Sequence, residues 1–180
     1  MVTMRSEVNV AKIRRLLREL GRSASGPGRV YLTGGATALL KGWRDSTVDV
    51  DVKLDPEPPG IFSAINRLKQ ELDVNIELAA PDQFLPALSD WQARSSYVER
   101  HGQVEFYHYD FRAQALSKLA RSMERDVADV RAMLARGLVT RDDLAEALEE
   151  ILPGLIRYPS LDAKAFEHRV RVFLESEDNA

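Results

Sequence analysis

Thirteen residues separate Gly34-Gly35 from Asp49-Val50-Asp51, and both pieces are of kinds that handle phosphate. Successive side chains of a strand point to opposite faces. Asp49 and Asp51 would then share one face roughly 6–7 Å apart, while Val48, Val50 and Val52 face a core. Two carboxylates that close repel unless a cation stands between them. A divalent ion that prefers hard oxygen donors, Mg²⁺ first of all, resolves the repulsion. The glycines stand between a short strand, Arg29 to Thr33, and the first turns of a helix, Ala36 to Lys41. Glycine lets backbone come close to an anion, and the free N–H groups of a helix start point toward it. Together these features predict phosphoryl transfer from a nucleotide. Either half alone suits plainer structure. Val-Asp-Val-Asp-Val-Lys also fits a half-exposed strand neutralised by Lys53, and a glycine pair is common turn punctuation. The order and spacing of the two are what separate these readings.

Other elements must hold such a site. Residues 8–20 place Val10, Ile13, Leu16, Leu17 and Leu20 at helical spacing with arginines opposite. Ser23 to Gly28 forms a loop before the Arg29 strand. Asp55-Pro56-Glu57-Pro58-Pro59-Gly60 ends the aspartate strand, because proline cannot continue it. Residues 61–72 read as a helix, with Ile61, Ile65, Leu68 and Leu72 on one face. Asp73 to Leu78 alternates as a strand with Asn75 and Glu77 on its polar side. If that strand lies beside the aspartate strand, Glu77 completes a three-carboxylate site; otherwise it is a surface residue on a sheet edge. Val104 to Tyr109 reads as a further strand, and Trp91 to Arg100 is ambiguous. Asp110 to Arg136 reads as one helix ended by Gly137, and Thr140 caps the next, which runs to about Leu152. A last helix covers Leu161 to Glu175, with Ser176 to Ala180 as a frayed tail.

The expected long helix holds a second group of charges. Lys118, Arg125 and Asp129 are spaced to line one stripe, with Arg121 one turn from Lys118. Such cations suit a triphosphate or a leaving pyrophosphate. The same spacing also makes Arg125–Asp129 an ordinary surface ion pair. Thr37, Arg44 and Ser46 flank the turn and the strand as candidate triphosphate contacts. His101 and His108 suit surface or hydrogen-bonded core positions better than general bases. Trp43 and Trp91 read as core anchors.

Composition narrows the class. With 44% hydrophobic and 29% charged residues over 180 positions, the chain has the makings of an ordinary globular core. It has no cysteine, which excludes disulfide scaffolds, zinc–thiolate sites and thiol nucleophiles. No apolar run is long enough for a bilayer span, so no membrane partner is expected. Glu7 and Glu19 among the N-terminal arginines, with no apolar stretch, argue against a signal peptide and for a cytoplasmic protein. A net charge of −3 argues against polyanion binding by bulk charge, although Arg112, Arg121 and Arg125 form a local basic patch.

Gly34-Gly35 followed by Asp49-Val50-Asp51-Val52 resembles the motif of the DNA polymerase β-like nucleotidyltransferase superfamily. The Lys118…Arg121…Arg125-Asp126…Asp129 run resembles the helical motif of the AbiEii-type minimal nucleotidyltransferases of bacterial toxin–antitoxin systems. Asn-Ile-Glu-Leu at 75–78, Asp-Gln-Phe-Leu-Pro at 82–86 and Tyr-His-Tyr-Asp at 107–110 are similar to an uncharacterised bacterial branch. The resemblance covers residues 28–137. It implies that Asp49 and Asp51 hold two Mg²⁺ ions, with Mn²⁺ as an alternative, and that Glu77 is the third carboxylate. It further implies that Gly34 and Gly35 cradle the phosphates and that Lys118 and Asp126 are catalytic, with Lys118, Arg121 and Arg125 contacting nucleotide. Two departures stand out. Many members have glycine-serine where this chain has Gly34-Gly35, which removes a phosphate-contacting hydroxyl. The Lys118–Asp126 interval is also short, leaving Asp126 and Asp129 as rivals for the functional aspartate.

The expectation is an α+β fold, with a small mixed sheet carrying the carboxylates, helices on one side and a helical C-terminal half. Residues 1–110 would form the nucleotidyltransferase-like core and 111–180 a helical region packed on it, with a cleft between the sheet and the Lys118 helix. The expected activity moves a nucleoside monophosphate from a nucleoside triphosphate to an acceptor, tRNA or other RNA, in a toxin–antitoxin setting. The alternative is a non-catalytic member of the fold that binds nucleotide or neutralises a partner protein.

Overall fold

The computed structural model describes residues 6–176. The chain divides into two compact units. One runs through Ala80 and returns for Ser95–Tyr109; the other takes Pro81–Arg94 and everything from Asp110 onward.

The first unit begins with α1 (Val10–Ser23), where the Asn9 side chain accepts the Lys12 N–H at 2.9 Å. This bond satisfies one of the donors that a helix start leaves without a partner. Ile13, Leu16, Leu17 and Leu20 are buried on one stripe, and Arg14, Arg15, Arg18 and Arg22 are exposed. There follow β1 (Gly28–Thr33), α2 (Gly35–Lys41), β2 (Asp49–Leu54), α3 (Ile61–Glu71), β3 (Asn75–Glu77), β4 (Ser96–His101) and β5 (Val104–His108). They make a five-stranded sheet in the order β3-β2-β1-β5-β4. β1 runs antiparallel to β2 and parallel to β5, β2 is parallel to β3, and β4 is antiparallel to β5. Val30, Leu32, Val50, Val52, Ile76, Val104 and Phe106 cluster with Leu16, Leu17, Ile61 and Leu68 of α1 and α3 in one core. Alternation along each strand leaves the other sheet face for polar and aromatic side chains. The ambiguous stretch 91–100 splits into a short helix and β4, whose register shifts between Tyr97 and Glu99.

The second unit holds α4 (Trp91–Arg94), α5 (Phe111–Arg121), α6 (Glu124–Ala135), α7 (Arg141–Ile151) and α8 (Ala163–Glu175). Its core includes Leu116, Val130, Met133, Leu144, Leu148, Phe166 and Val170. Thr140 and Asp143 cap α7 reciprocally. The Thr140 hydroxyl accepts the Asp143 N–H at 3.0 Å, and the Asp143 carboxylate accepts the Thr140 N–H at 2.9 Å. Gly137, at φ 66°, follows α6 as expected, with the Leu138 N–H on the Met133 carbonyl at 3.0 Å. Of the expected tail, Ser176 caps α8 and the rest lies outside the described residues.

The single helix expected over 110–136 is two helices. Ser122 adopts left-handed φ 55°, ψ 31°, and Met123 is extended, so the axis turns between α5 and α6. No proline or glycine marks this corner in the sequence. The Ser122 N–H closes α5 on the Lys118 carbonyl at 2.8 Å, and the charges described below stabilise the new direction.

Candidate active site

β2 projects Val50 and Val52 into the core and Asp49, Asp51 and Lys53 to the opposite face, where they are half-buried. Val48 was expected in the core but is 50% exposed, because the strand starts one residue later at Asp49. β3 lies beside β2 in parallel register, Asp49 opposite Asn75 and Asp51 opposite Glu77. Four polar side chains therefore stand two by two on one face. The Asn75 amide nitrogen donates to Asp49 Oδ1 at 2.6 Å and to Glu77 Oε1 at 2.8 Å. Both partners are carboxylate oxygens, which accept only, so the nitrogen end must face them. The amide thus offsets part of the repulsion between two carboxylates. Glu77 is turned along its own strand, and among the described residues no three acidic or histidine side chains are grouped as metal ligands. The pair Asp49 and Asp51 is what this face offers a hard cation.

The glycine turn meets this pair directly. Thr33, the last residue of β1, is opposite Asp51. Gly34 follows at φ 61°, ψ −130°, a combination glycine alone adopts without strain. A Cβ on Gly34 would stand 3.0 Å from Asp51 Oδ2, so a side chain there would crowd the Asp51 carboxylate as well as strain the backbone. Gly35 is buried, and a Cβ on it would collide with the Thr47 hydroxyl, which donates to the Asp49 carbonyl at 3.1 Å. Nothing local in the sequence marked Thr47. Only the loop's return to the turn does.

Thr37 is fully buried, and its hydroxyl serves the core. It donates to the Leu32 carbonyl at 3.2 Å and lies 3.0 Å from His108 Nδ1. With the hydroxyl proton committed to Leu32, the ring nitrogen is the donor in the second contact. Burial first, then the charges of Lys41 and Arg14, push His108 down to about 3, so the ring is neutral near pH 7. His101 lies 3.3 Å from Glu99 in the same unit. Arg44 and Ser46 occupy the loop before β2, both half-buried.

The remaining candidates belong to the second unit. Lys118 is 5% exposed, and its ammonium meets Asp129 Oδ2 at 2.6 Å and Asp126 Oδ1 at 3.9 Å. Arg121 grips Asp126 with two bonds, Nη2 to Oδ1 at 2.6 Å and Nε to Oδ2 at 3.2 Å. Asp126 and Asp129 are buried, while Arg125 is exposed. The stripe expected of Lys118, Arg125 and Asp129 does not exist, because α5 and α6 do not share an axis. The corner instead brings two cations onto two carboxylates. A second pair escaped the sequence reading: Asp110 caps α5 through the Arg112 N–H at 3.1 Å and holds Arg94 at 2.7 Å. Its signal was an aspartate directly before an apolar run.

The mixed sheet thus carries a glycine turn seated beside a strand-borne aspartate pair. The chain belongs to a family described as nucleotidyltransferase of unknown function, DUF6036, whose model matches residues 9–177. No curated protein and no solved structure matches it. No helix among the described residues is long and apolar enough to cross a membrane.

Proposed function

We propose that the chain transfers a nucleoside monophosphate from a nucleoside triphosphate to an acceptor hydroxyl, with Asp49 and Asp51 as the carboxylates for Mg²⁺ or Mn²⁺. The observation that carries the reading is the open space that Gly34 leaves beside the Asp51 carboxylate. A side chain at residue 34 would fill the space beside the Asp51 carboxylate, and glycine leaves it for a phosphate. Hard oxygen donors on a half-buried face suit these ions, so the residues fit the metal. When bound, the metal supplies charge stabilisation to the entering and leaving oxygens of an in-line displacement. Gly34 and Gly35 let the backbone approach the phosphates, and Asn75 keeps the Asp49 carboxylate in one orientation. Glu77, beside Asp51 in register, is the carboxylate that takes the acceptor proton.

Lys118, Asp126 and Asp129 we assign to holding the α5–α6 corner, since the ammonium is buried on carboxylates. The similarity of this run to AbiEii-type enzymes supports an RNA acceptor and a toxin–antitoxin setting as the finer part of the proposal.

The test is transfer of label from each α-³²P nucleoside triphosphate, with Mg²⁺, into total bacterial RNA and protein. Wild type is expected to label one acceptor class, and Asp49→Ala/Asp51→Ala to lose at least about 10²–10³-fold, the scale of removing transition-state charge stabilisation. Label in RNA supports the RNA acceptor, and label in protein replaces it. Equal labelling by wild type and double variant would sink the assignment of the aspartates.

A further inference from the structure

The second unit contains a cavity of about 310 Å³, near the lower end of the range for small-molecule sites. Phe84 and Tyr158 line it with Arg121, Gln83, Ser117 and Ser160. The chemistry of this lining is specific. Phe84 is a large aromatic left 57% exposed at the mouth, directly after the 3₁₀ turn Pro81–Gln83. The Tyr158 hydroxyl is tied to the Asp82 carbonyl at 3.2 Å, which fixes its ring in the wall. Arg121 is held edge-on by the buried Asp126, yet its side chain remains 65% exposed, so its planar face is presented rather than its charge. No carboxylate lines the cavity. A cationic ligand therefore finds no counter-charge, and Asp126 already balances the one guanidinium.

Two aromatic rings and a fixed guanidinium plane suit a flat ligand that stacks. An amide that both donates and accepts suits its hydrogen-bonding edge, and two hydroxyls suit a polyol. We propose that this cavity binds a nucleoside, with the base among Phe84, Tyr158 and Arg121, its edge met by Gln83, and the ribose beside Ser117 and Ser160. The choice of a nucleoside over other flat polyols rests on the nucleotidyltransferase reading.

Adenosine, guanosine, cytidine and uridine are titrated into the full chain without metal and followed by ligand-detected NMR. With neither phosphate nor metal present, the experiment does not depend on Asp49 or Asp51. One nucleoside is expected to bind in the millimolar range or better. Phe84→Ala should weaken it roughly 5- to 150-fold, the range for loss of one stacked ring, and Phe84→Trp should restore it. Gln83→Leu should change which nucleoside is preferred. Both positions are exposed, so neither variant threatens the fold. Competition by an oligoribonucleotide ending in the preferred nucleoside, run against the free triphosphate, identifies the occupant as acceptor end or donor nucleotide. No binding by any of the four, or equal binding by wild type and Phe84→Ala, would overturn the proposal even if label transfer succeeds. Binding without label transfer would uphold the cavity and count against the transfer reading.

Discussion

The chain builds two groups around pairs of aspartates and treats their charge in opposite ways. On the sheet, Asp49 and Asp51 are half-buried beside an exposed Glu77, and a neutral amide, bonded to Asp49 and Glu77, stands among them. In the helices, Asp126 and Asp129 are buried but matched by Lys118 and Arg121. Burying an ion costs several kcal/mol, so a buried group must be neutral as a whole. A half-exposed group can carry surplus charge because water screens it, and that surplus attracts a cationic ligand. The difference supports the proposal that the sheet group binds a cation and the helical group holds the α5–α6 corner.

The comparison breaks most readily at Lys118. Lys118→Met leaves two buried carboxylates against Arg121 alone and should cost about 3–5 kcal/mol in a denaturant titration. Lys118→Met/Asp129→Leu, which removes one charge of each sign, should recover much of that loss. A fully stable Lys118→Met protein with abolished nucleotidyl transfer would move Lys118 to the working site.

His108 sharpens the contrast as a group buried with no charge at all. The unfolded chain takes up its proton near pH 6.5, whereas the folded ring holds out to about 3. Its contribution to stability is therefore complete above pH 6.5 and lost as pH falls toward 3. The slope is at most about 1.4 kcal/mol per pH unit, and unfolding of His108→Gln between pH 6 and 4 should lack that part of it. An unchanged pH profile would show that the ring is not held neutral.

Gly34→Ala tests the turn against an internal control. It should cost about 1–3 kcal/mol from strained backbone and crowding of Asp51, and depress transfer strongly. Gly42→Ala, at φ 86° with open space around it, should cost about 1 kcal/mol and leave transfer nearly unchanged. Equal effects on transfer would separate the turn from the carboxylates.

A small, ion-reversible effect is expected at Asn75. Asn75→Asp replaces the tying amide with another acceptor and should lower stability by about 1–2 kcal/mol in chelator, with Mg²⁺ or Mn²⁺ restoring it. Thermal unfolding with and without the ion reads this. No restoration by either ion would argue against a cation at this face.

Much of the sheet unit was legible because its signals are local. Alternation over 49–54 marks a strand and the glycine pair at 34–35 a turn, and in the helical unit Thr140 announces the helix start it caps. The corner at Ser122 was not legible. Its cause is not a helix breaker nearby but the partners that Lys118 and Arg121 acquire after the turn. The splitting of 91–100 was hidden for a similar reason, since β4 is defined by its pairing with β5.

The sequence by itself determined that two aspartates would share a strand face and that a glycine turn would precede them, because side-chain period and backbone freedom are properties of the chain alone. It also determined the arginine-covered face of α1 by the same periodicity. Only the tertiary structure decided that Gly34 would stand against Asp51, that Asn75 would tie Asp49 to Glu77, and that Thr37 would turn to His108. It also brought Lys118 onto Asp129. These contacts depend on strand order and on where a helix turns. Strand order and helix corners are settled by burial and charge balance summed over residues far apart in the chain, which no local pattern records.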